Sequence, residues 1–154
     1  MRAKTFLLAL AFCLAAAVAS HAADSNVGTW KLNDAKSKIP AGGTKITSVV
    51  YTPAGEQYKC EVDETDGSGK ALHTEWTGKF DGKDYPVTGE PNTDTRSVQK
   101  VDDHHYKITN KKGGKATLTG NVAFSADGKT RTLTTNATDA KGKKIASTYV
   151  FDKQ

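Results

Sequence analysis

Apolar and polar residues alternate along much of the chain from residue 28 onward. Around residues 58–62 the apolar positions are every second residue, namely Tyr58, Cys60 and Val62, and the same alternation recurs over 72–80 and 116–124. Successive side chains of a β-strand point to opposite faces, so this pattern predicts strands with one buried face and one wet face. Residues 145–151 carry apolar groups at both alternating sets of positions, which predicts a last strand buried on both sides.

Short segments rich in Gly, Asp and Asn separate these strands. Seven such turns are predicted, at 53–55, 65–69, 81–83, 102–104, 112–114, 126–129 and 140–143. No segment has a sustained helical period, and residues 33–38 have room for one helical turn before Pro40. Consecutive hairpins without long crossovers favour closure into a barrel over a sandwich. The predicted fold class is therefore all-β, an antiparallel up-and-down β-barrel of about 8–10 strands.

The first 22 residues have the order of a secretory signal peptide. Arg2 and Lys4 precede an apolar run over 6–18, and small residues follow at 20 and 22. The run is shorter than the ~20 residues that span a bilayer as a helix. We therefore predict a signal peptide at 1–22, a single β-barrel domain at 23–154, no membrane span after signal removal, and a secreted or periplasmic location.

Composition excludes some functions. Loss of Arg2 and Lys4 with the signal lowers the formal net charge from +5 to +3, and the lysines are interspersed with acids. This predicts no nucleic-acid partner, because no dense basic patch is present. Cys60 is the single cysteine after residue 22, so an internal disulfide is excluded and a small buried hydrophobe is the preferred interpretation.

The segment Gly28-Thr29-Trp30 on the first predicted strand resembles the lipocalin and fatty-acid-binding superfamily of up-and-down barrels. The reading GTWKL and the closing strand 148–154 look especially like fatty-acid-binding proteins. More narrowly, NDAKSK, FDGKDYPVTG, ADGKTRT and YVFDKQ resemble a family of secreted bacterial lipocalin-like proteins of unassigned function. The resemblance implies that Trp30 packs across the closed end of the barrel, which is a structural role.

Two features depart from the fatty-acid-binding pattern. Those proteins carry a helix-turn-helix lid between their first two strands, whereas only residues 34–43 are available here. They also hold a fatty-acid carboxylate with Arg-x-Tyr on the last strand, where this chain has Ser147-Thr148-Tyr149. The resemblance therefore implies the fold more strongly than the ligand.

Arg96 and Arg131 are the two arginines that follow the predicted signal. Arg131 alternates in phase with Leu133, and Arg96 with Val98, so one or both guanidinium groups are predicted to point inward. Three interpretations remain open: an anionic ligand group held inside the barrel, an arginine stacked on Trp30 or paired with an internal acid, and plain surface exposure.

The leading hypothesis is a carrier that binds a small apolar or amphipathic molecule, with an anionic group as one option, in the barrel mouth. Besides the two arginines, its predicted lining is Tyr58, Trp76, Phe80, Leu118, Phe124 and Tyr149. The alternative is a protein-binding or inhibitor module with a filled barrel core and no small-molecule ligand. A cavity of several hundred Å3 would favour the carrier, whereas a filled interior would favour the alternative.

Metal binding and catalysis have little support in the sequence. His104 and His105 are adjacent, so on a strand they point to opposite faces, and His73 lies on another strand. The chain has no nucleophile elbow, HExxH motif or glycine-rich phosphate loop. We therefore predict no metal site, no cofactor and no enzyme activity.

Overall fold

The computed structural model describes residues 24–138 and 142–154, so the predicted signal peptide lies outside the described residues. Ten strands follow one another along the chain. They are β1 (Gly28–Leu32), β2 (Lys45–Ala54), β3 (Gln57–Thr65), β4 (Ala71–Gly78), β5 (Asp81–Thr88), β6 (Thr95–Lys100), β7 (His105–Lys112), β8 (Lys115–Phe124), β9 (Thr130–Thr138) and β10 (Lys144–Lys153). A single 3-10 turn, Asp34–Lys36, lies between β1 and β2, where one helical turn was predicted.

Every strand pairs antiparallel with its neighbour in sequence, and β1 pairs with β10 to close the barrel. At the closing seam Leu32 lies opposite Phe151. The pairing of β4 with β5 is the shortest, with only Glu75–Thr88 and Trp76–Val87 in register. The predicted all-β, closed up-and-down barrel is confirmed, with ten strands. No helix among the described residues is long and apolar enough to cross a membrane.

The turns of a meander alternate between the two ends of the barrel. The connections β2–β3, β4–β5, β6–β7 and β8–β9 share one end with residues 24–27, and the connections β1–β2, β3–β4, β5–β6 and β7–β8 lie at the other. The predicted turn at 81–83 is misplaced, because Asp81 already begins β5 and the register shifts between Asp81 and Asp84. The connection between β5 and β6, at 89–94, was not among the predicted turns.

Burial follows the predicted alternation in most strands. In β9, Arg131, Leu133 and Thr135 are buried while the residues between them are more exposed. The expectation that the last strand is buried on both faces was wrong. Ser147, Tyr149 and Phe151 point into the barrel, whereas Ala146 is exposed and Val150 only half-buried on the outer face. A closed barrel has a single interior, so the outer face of every strand meets solvent unless something covers it.

Aromatic rings fill one end of the interior. Trp30 is fully buried and its ring centroid lies 5.3 Å from that of Phe124. Tyr106 packs on Phe124, and Phe80 packs on Tyr106. The Trp30 indole N–H donates to the Asn26 carbonyl at 2.9 Å, so residues preceding β1 cover this end. We call it the filled end, and the position of Trp30 there agrees with its predicted structural role.

Candidate functional site

The opposite half of the barrel contains a partly open cavity of about 90 Å3. Its walls combine apolar side chains, including Val49, Val62 and Leu133, with an unusual set of charged ones. Arg131, Arg96, Glu64 and Glu90 all line it. Ordinary ligand pockets enclose about 300–1,000 Å3, and an engineered cavity of about 150 Å3 holds benzene. The space therefore suits a small molecule or one end of a larger one.

Arg131 lies between the filled end and the cavity. In register it is flanked by Phe124 on β8 and Phe151 on β10, and its guanidinium carbon is 5.2 Å from the centroid of the Phe151 ring. The residue is only 2% exposed, and its Nε and Nη1 have no hydrogen-bond partner in the described part of the chain. Burial is the main cause that lowers the pKa of Arg131, and the nearby charge of Arg96 lowers it as well. The pKa of an arginine is ordinarily so high that the side chain still remains a cation.

Two polar side chains lie close to Arg131 across the interior. Tyr51 on β2 and Cys60 on β3 are paired in register, and both line the cavity. Burial raises the pKa of both groups, so at neutral pH they are uncharged. They give Arg131 a polar surrounding but no counter-charge, so the positive charge is not neutralised from this side.

Arg96 has a different environment although it points into the same cavity. Its Nε donates to the Asn110 side-chain oxygen at 2.8 Å, and its Nη2 lies 3.7 Å from a carboxylate oxygen of Glu90. Its side chain is 12% exposed. The interpretation of an arginine paired with an internal acid therefore holds for Arg96. It does not hold for Arg131, and the cation over the Trp30 ring is Lys153, at 5.2 Å, rather than an arginine.

Two carboxyl groups stand at the mouth of the cavity. Glu64 lies next to the last residue of β3 and accepts a hydrogen bond from the Thr74 hydroxyl at 3.3 Å. Burial, then the charge of Glu90, raises the pKa of Glu64 to about 7. Glu90 follows Gly89, which has a φ of +87° and lies so close to the His73 carbonyl that a side chain at this position would collide with it. This tight turn holds Glu90 over the opening.

The predicted lining residues divide between the two ends of the barrel. Leu118 and Tyr149 line the cavity together with both arginines, as predicted. The other four, Tyr58, Trp76, Phe80 and Phe124, are not among the lining residues and belong to the filled end, where Phe80 stacks on Tyr58 at 4.2 Å and on Trp76 at 6.3 Å. Placing these four in the barrel mouth was wrong, because alternation identifies the inward face of a strand but not the height along the barrel.

Several residues that line the cavity were not predicted from the sequence. Glu64 continues the inward set of Cys60 and Val62, so alternation alone pointed to an inward carboxyl group. Tyr51 and Asn110 likewise lie on the inward faces of β2 and β7. Glu90 had no such signal, because it lies in a turn whose position depends on the pairing of β5 with β6.

The fold places His73 and His105 in separate parts of the barrel. His105 pairs with Asp102 through Nδ1 at 2.9 Å in the β6–β7 region. His73 is remote from that pair in the strand order, on the outer face of β4, and lies with Glu61 and Glu75. The adjacent histidines therefore do not converge with His73, and the Glu61–His73–Glu75 group was not anticipated.

No known protein family matches the sequence, and no curated protein is similar to it. Among solved structures, the chain is similar to EF1p2_mFAP2b bound to DFHBI, with a TM-score of 0.51, 8% identity, and coverage of 84% of this chain and 94% of that one. Lobster apocrustacyanin A1 and apocrustacyanin C2 each give a TM-score of 0.39 at 13% identity, covering 86% and 85% of this chain and 62% of theirs. At such identities the first similarity shows the fold alone, which is that of an antiparallel β-barrel.

Proposed function

We propose that the protein is an exported carrier that binds a small amphipathic anion in the cavity above Arg131. The observation that carries this proposal is the state of Arg131, which is 2% exposed with Nε and Nη1 unpartnered. An unpaired buried cation costs stability. A ligand carboxylate or phosphate would supply the missing partner, because its two oxygens match the geometry of the guanidinium.

The cavity also limits the rest of the ligand. With about 90 Å3 of space and apolar walls formed by residues such as Val49, Val62 and Leu133, it suits a short chain or a small ring beside the anionic group. We therefore expect a short-chain or single-ring carboxylate to bind more favourably than a long-chain fatty acid. The proposed function is binding, since the cavity combines apolar walls with a buried guanidinium group.

The alternative function, a protein-binding or inhibitor module, assumed a filled core. Only one half of the interior is filled, which argues against the filled core of the alternative. The cavity at the other end, about 90 Å3, is smaller than the several hundred Å3 expected of a carrier, so it supports a carrier of a small ligand. Export is proposed from the predicted signal peptide. A mass measurement on protein purified from its own host tests it, and the expected chain begins at residue 23.

The test of the ligand proposal compares hexanoate with hexanamide, which has the same shape but no charge. By isothermal titration, wild type should bind hexanoate at least about tenfold more tightly, because a charge-assisted hydrogen bond contributes about 1.5–3 kcal/mol. Arg131→Met should lose this preference. Lys107→Met, which removes a cation from an exposed position on β7, should retain it. Equal binding of the acid and the amide, or an unchanged Arg131→Met variant, would contradict the proposal.

A further inference from the structure

The outer face of the barrel carries a separate cluster of ligating side chains on β3 and β4. Glu61 lies directly opposite Glu75 in the register, and Asp63 lies opposite His73. Residues opposite one another on one face of an antiparallel pair are close enough to interact. One ligating atom each of Glu61, His73 and Glu75 lie within 4.8 Å of one another.

Asp63 determines which nitrogen of His73 faces the two glutamates. The Nδ1 of His73 is 2.7 Å from a carboxylate oxygen of Asp63, and the other oxygen of Asp63 accepts a hydrogen bond from the Ser48 hydroxyl at 2.8 Å. This contact assigns the proton of the neutral ring to Nδ1, which leaves the lone pair on Nε2. Carboxylates orient metal-binding histidines in this way.

The Nε2 of His73 lies 3.6 Å from a carboxylate oxygen of Glu75 and 3.9 Å from one of Glu61. Three electron-pair donors around one point repel each other unless a cation or a proton lies between them. Zinc binds nitrogen and carboxylate oxygen at about 2.0–2.2 Å, so two ligands at a tetrahedral angle lie about 3.4 Å apart. Only small side-chain movements would therefore bring the three atoms to ligand positions.

Lys59 already supplies a positive charge on one side of this cluster. Its Nζ lies 3.0 Å from Glu61 and 3.1 Å from Glu75, and it contacts the same carboxylate oxygens that approach His73. A metal ion would therefore have to compete with the Lys59 ammonium group for these oxygens. The lysine side chain is 37% exposed, so it can move into solvent when a divalent ion takes its place.

We propose that Glu61, His73 and Glu75 form a surface site for zinc or a similar divalent cation, with Asp63 orienting His73 and Lys59 acting as an intrinsic competitor. Water would complete the coordination. The mixed nitrogen and oxygen ligands favour zinc over magnesium or calcium, which prefer oxygen ligands alone. The site is independent of the interior cavity, because the outward residues of β3 and β4 alternate with the inward ones.

The experiment titrates Zn2+ into untagged protein in a buffer that does not bind metals, with a chromophoric chelator as the reporter. Wild type should take up one ion. Lys59→Gln should bind it about tenfold more tightly because the competitor is lost, and Asp63→Asn should bind it about tenfold more weakly, as expected for a residue that orients a ligand. His73→Ala should lose the site, and Mg2+ should not displace the zinc.

His105→Ala is the matched control, because His105 is also an exposed histidine paired through Nδ1 with an aspartate. Its zinc affinity should equal that of wild type. The proposal is overturned if neither wild type nor Lys59→Gln takes up zinc near one equivalent, or if His73→Ala binds as wild type does. Far-ultraviolet circular dichroism confirms that each variant retains its sheet, so a loss of binding is distinguished from a loss of fold.

Discussion

The two ends of the barrel interior use the same alternation of side chains for different purposes. At the filled end, the Trp30 ring packs tilted against Phe124, and Tyr106 packs edge to face on Phe124. The Tyr106 hydroxyl donates a hydrogen bond to Asp24 at 2.8 Å. At the cavity end, the interior is lined by Arg131, Glu64 and other polar groups around open space. The difference indicates that the filled end stabilises the fold. The cavity end lowers the stability of the fold because it keeps polar groups in the interior, where a ligand can contact them.

The largest expected effect comes from breaking the filled end. Trp30→Ala should lower the free energy of unfolding by about 3–5 kcal/mol, because it removes a fully buried ring and leaves a cavity beside Phe124. Urea denaturation followed by circular dichroism measures the loss. Val101→Ala is the control, since Val101 is 55% exposed and should change little. A loss of less than about 1 kcal/mol for Trp30→Ala would contradict its role as the end plug.

The cavity end should respond in the opposite direction. Arg131→Met keeps an unbranched stem but removes a buried cation whose Nε and Nη1 have no partner, so we expect it to raise the stability of the ligand-free protein by about 2 kcal/mol. The same urea denaturation applies. If this variant were instead destabilised as strongly as Trp30→Ala, Arg131 would be a structural residue, and the contrast between the two ends would fail.

The smallest expected effect is the pH dependence of binding at the cavity mouth. Because the pKa of Glu64 is raised to about 7, ionisation between about pH 6 and pH 8 adds a negative charge beside the cavity. Hexanoate stays ionised over this range, so its affinity should fall severalfold as the pH rises. Titration calorimetry at both pH values measures this change.

Glu64→Gln should bind with an affinity that depends much less on pH. The stability of the wild-type fold should change with pH in the same direction as its affinity for hexanoate. The raised pKa of Glu64 stabilises the folded state at low pH, and this contribution is lost as the pH rises from about 4.5 through about 7. A wild-type affinity that is constant or rises over this range would show that Glu64 does not act on the ligand.

Part of the site could be predicted from alternation alone. The inward direction of Arg131 followed from its phase with Leu133, and both residues are buried on β9. The positions of Tyr58 and Phe80 could not be predicted in the same way. They share the inward side with cavity residues but lie near the turns of the filled end, where they stack on each other. Height along the barrel depends on the register and tilt of the strands, which no single strand encodes.

The partner of each charged group also could not be predicted from the sequence. Arg96 and Arg131 have similar sequence signals, yet Arg96 is placed opposite Asn110 and near Glu90, while Arg131 is placed between two phenylalanines. The neighbours that decide this lie on other strands. The outer cluster of Glu61, His73 and Glu75 likewise exists only because the β3–β4 register aligns its members.

The sequence by itself determined the strands, their order and their single wet face, because period-two alternation and turn residues act over a few neighbouring positions. Only the tertiary structure decided which end of the barrel is filled and which outer side chains converge. It also decided which arginine keeps two buried nitrogens without a hydrogen-bond partner among the described residues. Those properties depend on inter-strand register and on the closure of β1 against β10, which bring together residues far apart along the chain.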